Sequence, residues 1–476
     1  MTAMRIHRSL ARALALLATI ALVCELPARA SAQGGDVRIN VQSGSIARLP
    51  LRCEALSGPS SGGNATSRDA DGVLANDLQT SAVFEVDRAW APTPNDPDPQ
   101  FVTSGRWSIE GSQAKLSGEL RDFPARRAIL VRDYAGPASE WRRLLHRFSD
   151  DCVQQITGER GVADTRIAYV VKDGQNKELW IMDADGANAR ALTADKSIAQ
   201  SPSWSPEGSL LLYTSWRAGN GPAIWVMSPE QRRPFLISGR PGLNTSASYS
   251  PDGQHIACTL SQDGNAEIYV LDARGGSAQR LTNNRAIDTA PTWSPTGREL
   301  AFTSDRSGSP QIYLMDAVGG SVRRLTYDVD YTDSPSWSPT GRELAFTSDR
   351  SGSPQIYLMD ALGGSIRRLT FDVDYTDSPA WSPKGDRIAF VTRVGGGFDI
   401  WTCRADGTGA KPVVTGGNNE NPRWSADGRH LVFASDRDGG YGLWVTDLDG
   451  AVPRKLDTAG HRSLSPAWSP RRSTGS

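Results

Sequence analysis

Gly58-Pro59-Ser60-Ser61-Gly62 fits G-x-S-x-G, the elbow that exposes a serine nucleophile in α/β-hydrolases. That elbow needs an apolar strand leading into the turn and a hydrolase domain after it. Here the serine precedes a Gly/Asn/Ser-rich stretch, so no catalysis is expected of it. Asp183-Ala184-Asp185-Gly186 suggests calcium, but the rest of an EF-hand loop is missing and the segment predicts a turn between strands. His255 and His430 hold the same repeat position, where Glu299, Glu343 and Arg387 stand elsewhere. Both are expected to face solvent at a strand start rather than converge on a metal. His146 lies in a helical stretch, and His461 enters the last strand of the chain. Cys258 and Cys403 fall in different repeats and are expected to pack as small apolar residues. Cys53 and Cys152 lie in the N-terminal region, where an oxidising compartment permits a disulfide between them. No catalytic residue, cofactor or metal set emerges from these patterns.

The elements that must position any site are short strands. Hydrophobic residues make up 38% of the 476, beside 47 Gly and 29 Pro, a composition that suits many strands joined by turns. Arg5, Arg8 and Arg12, the apolar run Ala13 to Leu26 and Ala30-Ser31-Ala32 predict a cleaved secretory signal over residues 1–32. That segment carries four Arg and one Glu, so the formal charge of −1 becomes about −4 in the mature chain. Such a balance offers no electrostatic case for nucleic acid, nor for an anionic membrane surface. No later segment is apolar enough for direct membrane insertion, and the mature chain is expected to be a monomer.

An aromatic-Ser pair recurs at Trp204, Tyr249, Trp293, Trp337, Trp381, Trp424 and Trp468, at spacings of 45, 44, 44, 44, 43 and 44. Proline follows each pair except at Ala426. Within 337–380, four β-favouring runs near Ser334–Ser338, Glu343–Ser348, Gln355–Asp360 and Ser365–Thr370 are separated by turn residues. Four strands in about 44 residues make a propeller blade. Residues 293–336 differ from 337–380 only at Val318, Val322, Tyr327 and Ser336 against Leu362, Ile366, Phe371 and Ala380, as after a recent duplication. The second- and third-strand patterns each occur seven times. The first unit has no Trp-Ser-Pro before it and the last has no unit after it, so residues 464–470 should supply the inner strand of the first blade. The expected fold is mainly β: a seven-bladed β-propeller over 165–470, with six blades if the duplicated unit is not accommodated. The recurring tryptophans are expected to be packing between blades.

Residues 33–157 lack the period and predict a small α/β domain, followed by a linker at 158–164; residues 471–476 form a tail. A strand at Asp36–Val41, a helix at Ala70–Ser81 capped by Asp69 or Ser67, strands at Val83–Val86 and Ala128–Val131, and a helix at Ala138–Thr157 are expected. Pro92–Phe101 should be a loop, and residues 88–127 show little regular apolar pattern. In a propeller, loops from one blade's outer strand to the next blade's inner strand gather around the channel at one face. Four residues before each repeat aromatic stand Gln200, Thr245, Thr289, Asp333, Asp377, Glu420 and Leu464. The first six form a candidate polar, mildly acidic docking ring, or else simply turn the chain.

At this level the chain resembles the TolB family of periplasmic Tol–Pal components. Asp36-Val37-Arg38-Ile39 with Ser43-Gly44, the helix Ala70–Ser81, the run ITGERGVADTRIAYVV at 156–171 and SPAWSP at 465–470 carry the resemblance over nearly all of the mature chain. It implies a non-enzymatic periplasmic scaffold supporting envelope integrity and outer-membrane constriction at cell division. It implies a propeller that receives the peptidoglycan-associated lipoprotein Pal at a channel face. It also implies that Asp36, Val37, Arg38 and Ile39 belong to a segment engaging the inner-membrane protein TolA. The family propeller has six blades, and this chain spells one more. The alternative is an exported propeller enzyme, a polysaccharide lyase or hydrolase-like protein with a metal in its channel.

Overall fold

The repeated Trp-Ser-Pro-x-Gly is the turn between the first and second strands of each propeller sheet. Its glycine takes positive φ, near 70° at Gly297 and Gly385, a conformation that strains side-chain-bearing residues. The serine hydroxyl accepts the N–H that opens the next strand: Ser294 from Glu299 at 3.2 Å, Ser338 from Glu343 at 3.1 Å, Ser425 from His430 at 3.0 Å. The computed structural model describes residues 47–58, 66–87, 98–327, 330–371, 373–449 and 452–472. The expected signal segment, Asp36–Ile39 and Ser60 lie outside the described residues.

Seven antiparallel four-stranded sheets follow one another along the chain. Blades 2 to 7 have inner strands Ala199–Trp204, Asn244–Tyr249, Asp288–Trp293, Thr332–Trp337, Thr376–Trp381 and Asn419–Trp424. Blade 1 takes Arg462–Trp468 as its inner strand, paired with Arg166–Asp173 through Trp468↔Ile167 and Leu464↔Val170. The turn bond recurs even at this seam: Ser469 Oγ accepts the N–H of Arg166 at 2.9 Å, across 303 residues. The seven-blade expectation therefore holds. The six-blade alternative fails because both near-identical units, in blades 4 and 5, build complete sheets.

The tryptophans do more than fill wedges. Trp337 and Phe346 of blade 5 pack against Ala301, Ile312 and Leu314 of blade 4. Indole N–H groups also bond to the inner strand of the preceding blade: Trp204 to the Ala467 carbonyl at 3.0 Å, Trp293 to Ser248 at 3.2 Å, Trp381 to Ser336 at 3.2 Å, Trp424 to Ala380 at 2.9 Å. Three of the four positions at which the duplicated units differ are exposed in both copies: Val318/Leu362, Val322/Ile366 and Tyr327/Phe371. The fourth is the half-buried pair Ser336/Ala380 on the inner strands.

The N-terminal region is a five-stranded sheet carrying two helices. Its strands are β1 (Leu49–Cys53), β2 (Phe84–Asp87), β3 (Phe101–Glu110), β4 (Gln113–Asp122) and β5 (Arg127–Pro137), in the order β2-β1-β3-β4-β5. The helices are α1 (Ser67–Thr80) and α2 (Trp141–Thr157), the latter entered by a 3₁₀ turn at Ala138–Glu140. Thr66 caps α1, rather than Asp69 or Ser67: its hydroxyl accepts the Asp69 N–H at 3.2 Å while Asp69 Oδ2 accepts the Thr66 N–H at 2.8 Å. The long β3–β4 hairpin was not foreseen. Its turn residues Gly111-Ser112 were the available signal, and Trp107, Leu116 and Leu120 are buried from it. A Cβ on Gly118 would stand 2.7 Å from the Phe148 ring, so glycine is what lets α2 lie on β4. Cys53 and Cys152 are both buried in this same core.

Candidate functional site

Antiparallel pairing divides the propeller into two faces. The start of every inner strand shares one face with the hairpins between second and third strands, and the Ser-Pro-x-Gly turns share the other. Gln200, Thr245, Thr289, Asp333, Asp377 and Glu420 are each the second residue of an inner strand, all half-buried. They therefore form the expected ring at the first face. Leu464 takes the equivalent place in blade 1, opposite Val170.

Three members of that ring already have structural duties. Asp333 Oδ1 accepts from Thr303 of blade 4 at 2.7 Å, and its Oδ2 from Tyr331 at 3.2 Å. Asp377 repeats the pattern with Thr347 of blade 5 at 2.8 Å and Tyr375 at 3.2 Å. Glu420 accepts from Tyr441 at 2.8 Å. Burial, together with the adjoining Asp333 charge, raises the Tyr331 pKa and keeps the phenol protonated. Asp333 and Asp377 thus clip neighbouring blades and Glu420 braces its own, all three remaining half-buried.

The residue after each ring member is a feature that sequence reasoning missed. Ser201, Ser246, Ala290, Ser334, Ser378, Asn421 and Ser465 all adopt left-handed φ, between 48° and 57°. Each marks a bulge where pairing with the second strand shifts register. A left-handed non-glycine residue costs roughly 1–2 kcal/mol, so the bulge is held by the strands around it. A proline follows in six of the seven cases, Ala247 being the exception. That proline was the legible signal, because it steers its predecessor away from the ordinary helical region.

The opposite face carries the N-terminal domain. His146 on α2 and Asp77 on α1 share a hydrogen bond, Nδ1 to Oδ2, at 2.6 Å in a fully buried setting. Asp185, in the outer turn of blade 1, stands beside them and is paired with Arg142, while its carbonyl accepts from Arg454 at 3.0 Å. Burial works against an imidazolium here, but the carboxylates of Asp77, Asp185 and Asp183 outweigh it and raise His146 to about 9. Asp77, Asp185 and His146 are the one group among the described residues with metal-ligand atoms mutually within 4.8 Å. The guanidiniums of Arg142 and Arg454 occupy the charge role a cation would fill, so the arrangement is an ion-paired network joining the two domains. Arg48 pairs with Asp447 of blade 7 nearby. A cavity of about 210 Å³ lies along this contact.

His430 is a correction. It is not solvent-facing: the N-terminal domain covers it to 4% exposure, and its Nε2 meets the Thr80 carbonyl at 2.8 Å. His255, at the same repeat position in blade 3, is exposed as expected. His461 packs at a tilt against Trp180 at the ring face, with centroids 4.8 Å apart. The linker is tightly tied. The Asp150 carboxylate accepts the N–H groups of Ala163 and Asp164 at 2.7 and 3.1 Å, and Arg471 of the tail bonds to the Gly161 carbonyl at 3.1 Å.

With this geometry in view, comparison with known proteins is decisive at the family level. The family described as "TolB beta propeller domain" matches residues 153–336 and 329–472. The chain belongs to the TolB family. Among curated TolB relatives, the "Tol-Pal system protein TolB" of Desulfosudis oleivorans is 32% identical over 289 residues, 56% of this chain and 65% of that protein. The protein of the same name from Anaeromyxobacter sp. (strain K) is 35% identical over 295 residues, 58% of this chain and 66% of that protein. The matches thus span just under two-thirds of those relatives' length. The crystal structure of TolB from Acinetobacter baumannii superposes with a TM-score of 0.65 at 24% identity, over 90% of this chain and 98% of that one, a likeness of fold. Among the described residues no helix is long and apolar enough to cross a membrane.

Proposed function

We propose that this protein is a periplasmic, non-enzymatic scaffold of a Tol–Pal-type envelope system. In this reading the ring face docks a Pal-like peptidoglycan-associated lipoprotein, in support of envelope integrity and outer-membrane constriction at division. The segment around Asp36, Val37, Arg38 and Ile39 engages a TolA-like inner-membrane protein, and the protein works as a monomer. The observation that carries the reading is the TolB-family propeller with one face covered by its own N-terminal domain and a polar ring at the other. A rigid ring of loops with one open face suits recognition of a folded partner. The enzyme alternative needs histidines and carboxylates converging in the channel. Among the described residues the histidines lie at the domain contact, at one outer strand start and at the rim.

Capture of a purified Pal-like lipoprotein by the mature protein tests the proposal. The informative variant is Asp333→Asn with Asp377→Asn, since asparagine still accepts the Thr303 and Thr347 hydroxyls while removing two negative charges. Weakened capture with an unchanged melting temperature is expected. Capture unaffected by the pair would move the docking site away from the ring, and no capture by the wild type would overturn the reading.

A further inference from the structure

Among the described residues, Arg423 stands in the channel without a carboxylate partner. Arg423 is the fifth residue of the blade 7 inner strand, three residues and about 10 Å further along the channel than Glu420. At the same place the other blades carry Ser203, Ser248, Thr292, Ser336, Ala380 and Ala467, all small and uncharged. Arg423 lines a cavity of about 740 Å³ in the channel, together with Ser201, Ser203, Asn421, Ser465 and prolines of blades 1, 2 and 6. Its one hydrogen bond among the described residues is a long one, 3.4 Å, to the carbonyl of its neighbour Pro422. Channel walls crowd the guanidinium and its loss of bulk solvent lowers its pKa, with no carboxylate among the described residues drawing it back up. The side chain nevertheless stays open to channel water.

Other arginines, in the hairpins between second and third strands, are engaged within their own blades. Arg306, Arg350 and Arg437 lie over aromatic rings of their own blades, at 4.8, 5.0 and 5.0 Å from the Tyr313, Tyr357 and Trp444 centroids. Arg423 has neither ring nor counter-ion, and its planar fork matches a carboxylate in two-point geometry. Partial desolvation strengthens any such pair relative to one in open water. The cavity volume falls within the range of sites that hold several residues' worth of ligand. We propose that the channel contains a carboxylate-binding subsite centred on Arg423, which receives an acidic side chain of a polypeptide segment. The hydroxyls of Ser201, Ser203 and Ser465 line the same space and suit the backbone of such a segment. This deepens the docking reading by naming what a partner would insert, but the subsite stands apart from the ring residues and is tested without the lipoprotein.

The probe is the capped hexapeptide Ser-Gly-Glu-Gly-Ser-Gly, its Gln-for-Glu counterpart, and free succinate, each titrated calorimetrically into the mature protein. The variant is Arg423→Ser, which places at this position the residue that blades 2, 3 and 5 already carry and so leaves the fold undisturbed. The Glu peptide should bind the wild type at least tenfold tighter than the Gln peptide, the preference should vanish in Arg423→Ser, and Arg423→Lys should retain part of it. An equal preference in Arg423→Ser, or none in the wild type, would overturn the subsite. Succinate binding as tightly as the peptide would overturn the polypeptide source. Loss of lipoprotein capture with peptide binding intact would sink the ring-docking reading alone.

Discussion

Replacing His146 with glutamine should destabilise the protein at neutral pH and stop doing so in alkali. The imidazole is 97% removed from solvent and shares a 2.6 Å bond with Asp77. Burial opposes its charge, yet the three surrounding carboxylates raise it from 6.5 to about 9. At about 1.4 kcal/mol per pH unit, that gap gives the imidazolium about 3 kcal/mol of preference for the folded state. Because the folded value is raised, the contribution is complete below about pH 6.5 and is lost as pH climbs through about 9. Burial pushes Asp77 in the opposite sense, upward, with His146 pulling it only partly back. The direction we adopt is a charged pair at neutral pH, since an ionised Asp77 is the main reason His146 is raised at all. The cost of burying Asp77 offsets part of the pair's worth, but it does not alter the fading of the histidine contribution with alkali. Both long helices of the described chain are in the N-terminal domain, so urea unfolding followed at the helical circular dichroism band reports on that domain. The wild type should exceed His146→Gln by about 3 kcal/mol at pH 6.5, with the difference approaching zero near pH 9. A difference constant across that range, or one growing with pH, would refute the charge assignment.

Two further outcomes follow from the closure and the core. Ser469→Ala leaves the buried Arg166 N–H without its 2.9 Å acceptor and should cost about 1–3 kcal/mol, with faster hydrogen exchange along 462–468; Ser338→Ala in blade 5 should cost a similar amount without that localised exchange. Burial drives the Cys152 thiol well above its ordinary range, so native protein should resist iodoacetamide at Cys53 and Cys152 and react at both once unfolded. Rapid native alkylation of Cys152 would contradict the packing, and a mass deficit of two hydrogens without alkylation after unfolding would reveal a bridge formed between the two.

Legibility followed locality. The aromatic-Ser pair that opens each hairpin turn is two consecutive residues, so its sevenfold occurrence could be counted directly. The β3–β4 hairpin escaped notice because its core face alternates Phe101, Trp107, Leu116 and Leu120 with many small or charged residues, and only Gly111-Ser112 marked the turn. The shared strand position of the ring residues follows from the repeat spacing, but not the bonds of Asp333 and Asp377 to Thr303 and Thr347, which join residues 30 apart in neighbouring blades.

The sequence by itself determined the blade number and the manner of closure, because each blade is a local structure and the orphaned last Trp-Ser-Pro had one place to go. The tertiary structure alone decided how equivalent positions came to differ. His255 and His430 share a repeat position, yet one is exposed and the other meets Thr80 across 350 residues. A repeat specifies backbone geometry through neighbours in sequence, whereas burial and electrostatic environment are set by whatever the completed ring and the docked domain bring alongside.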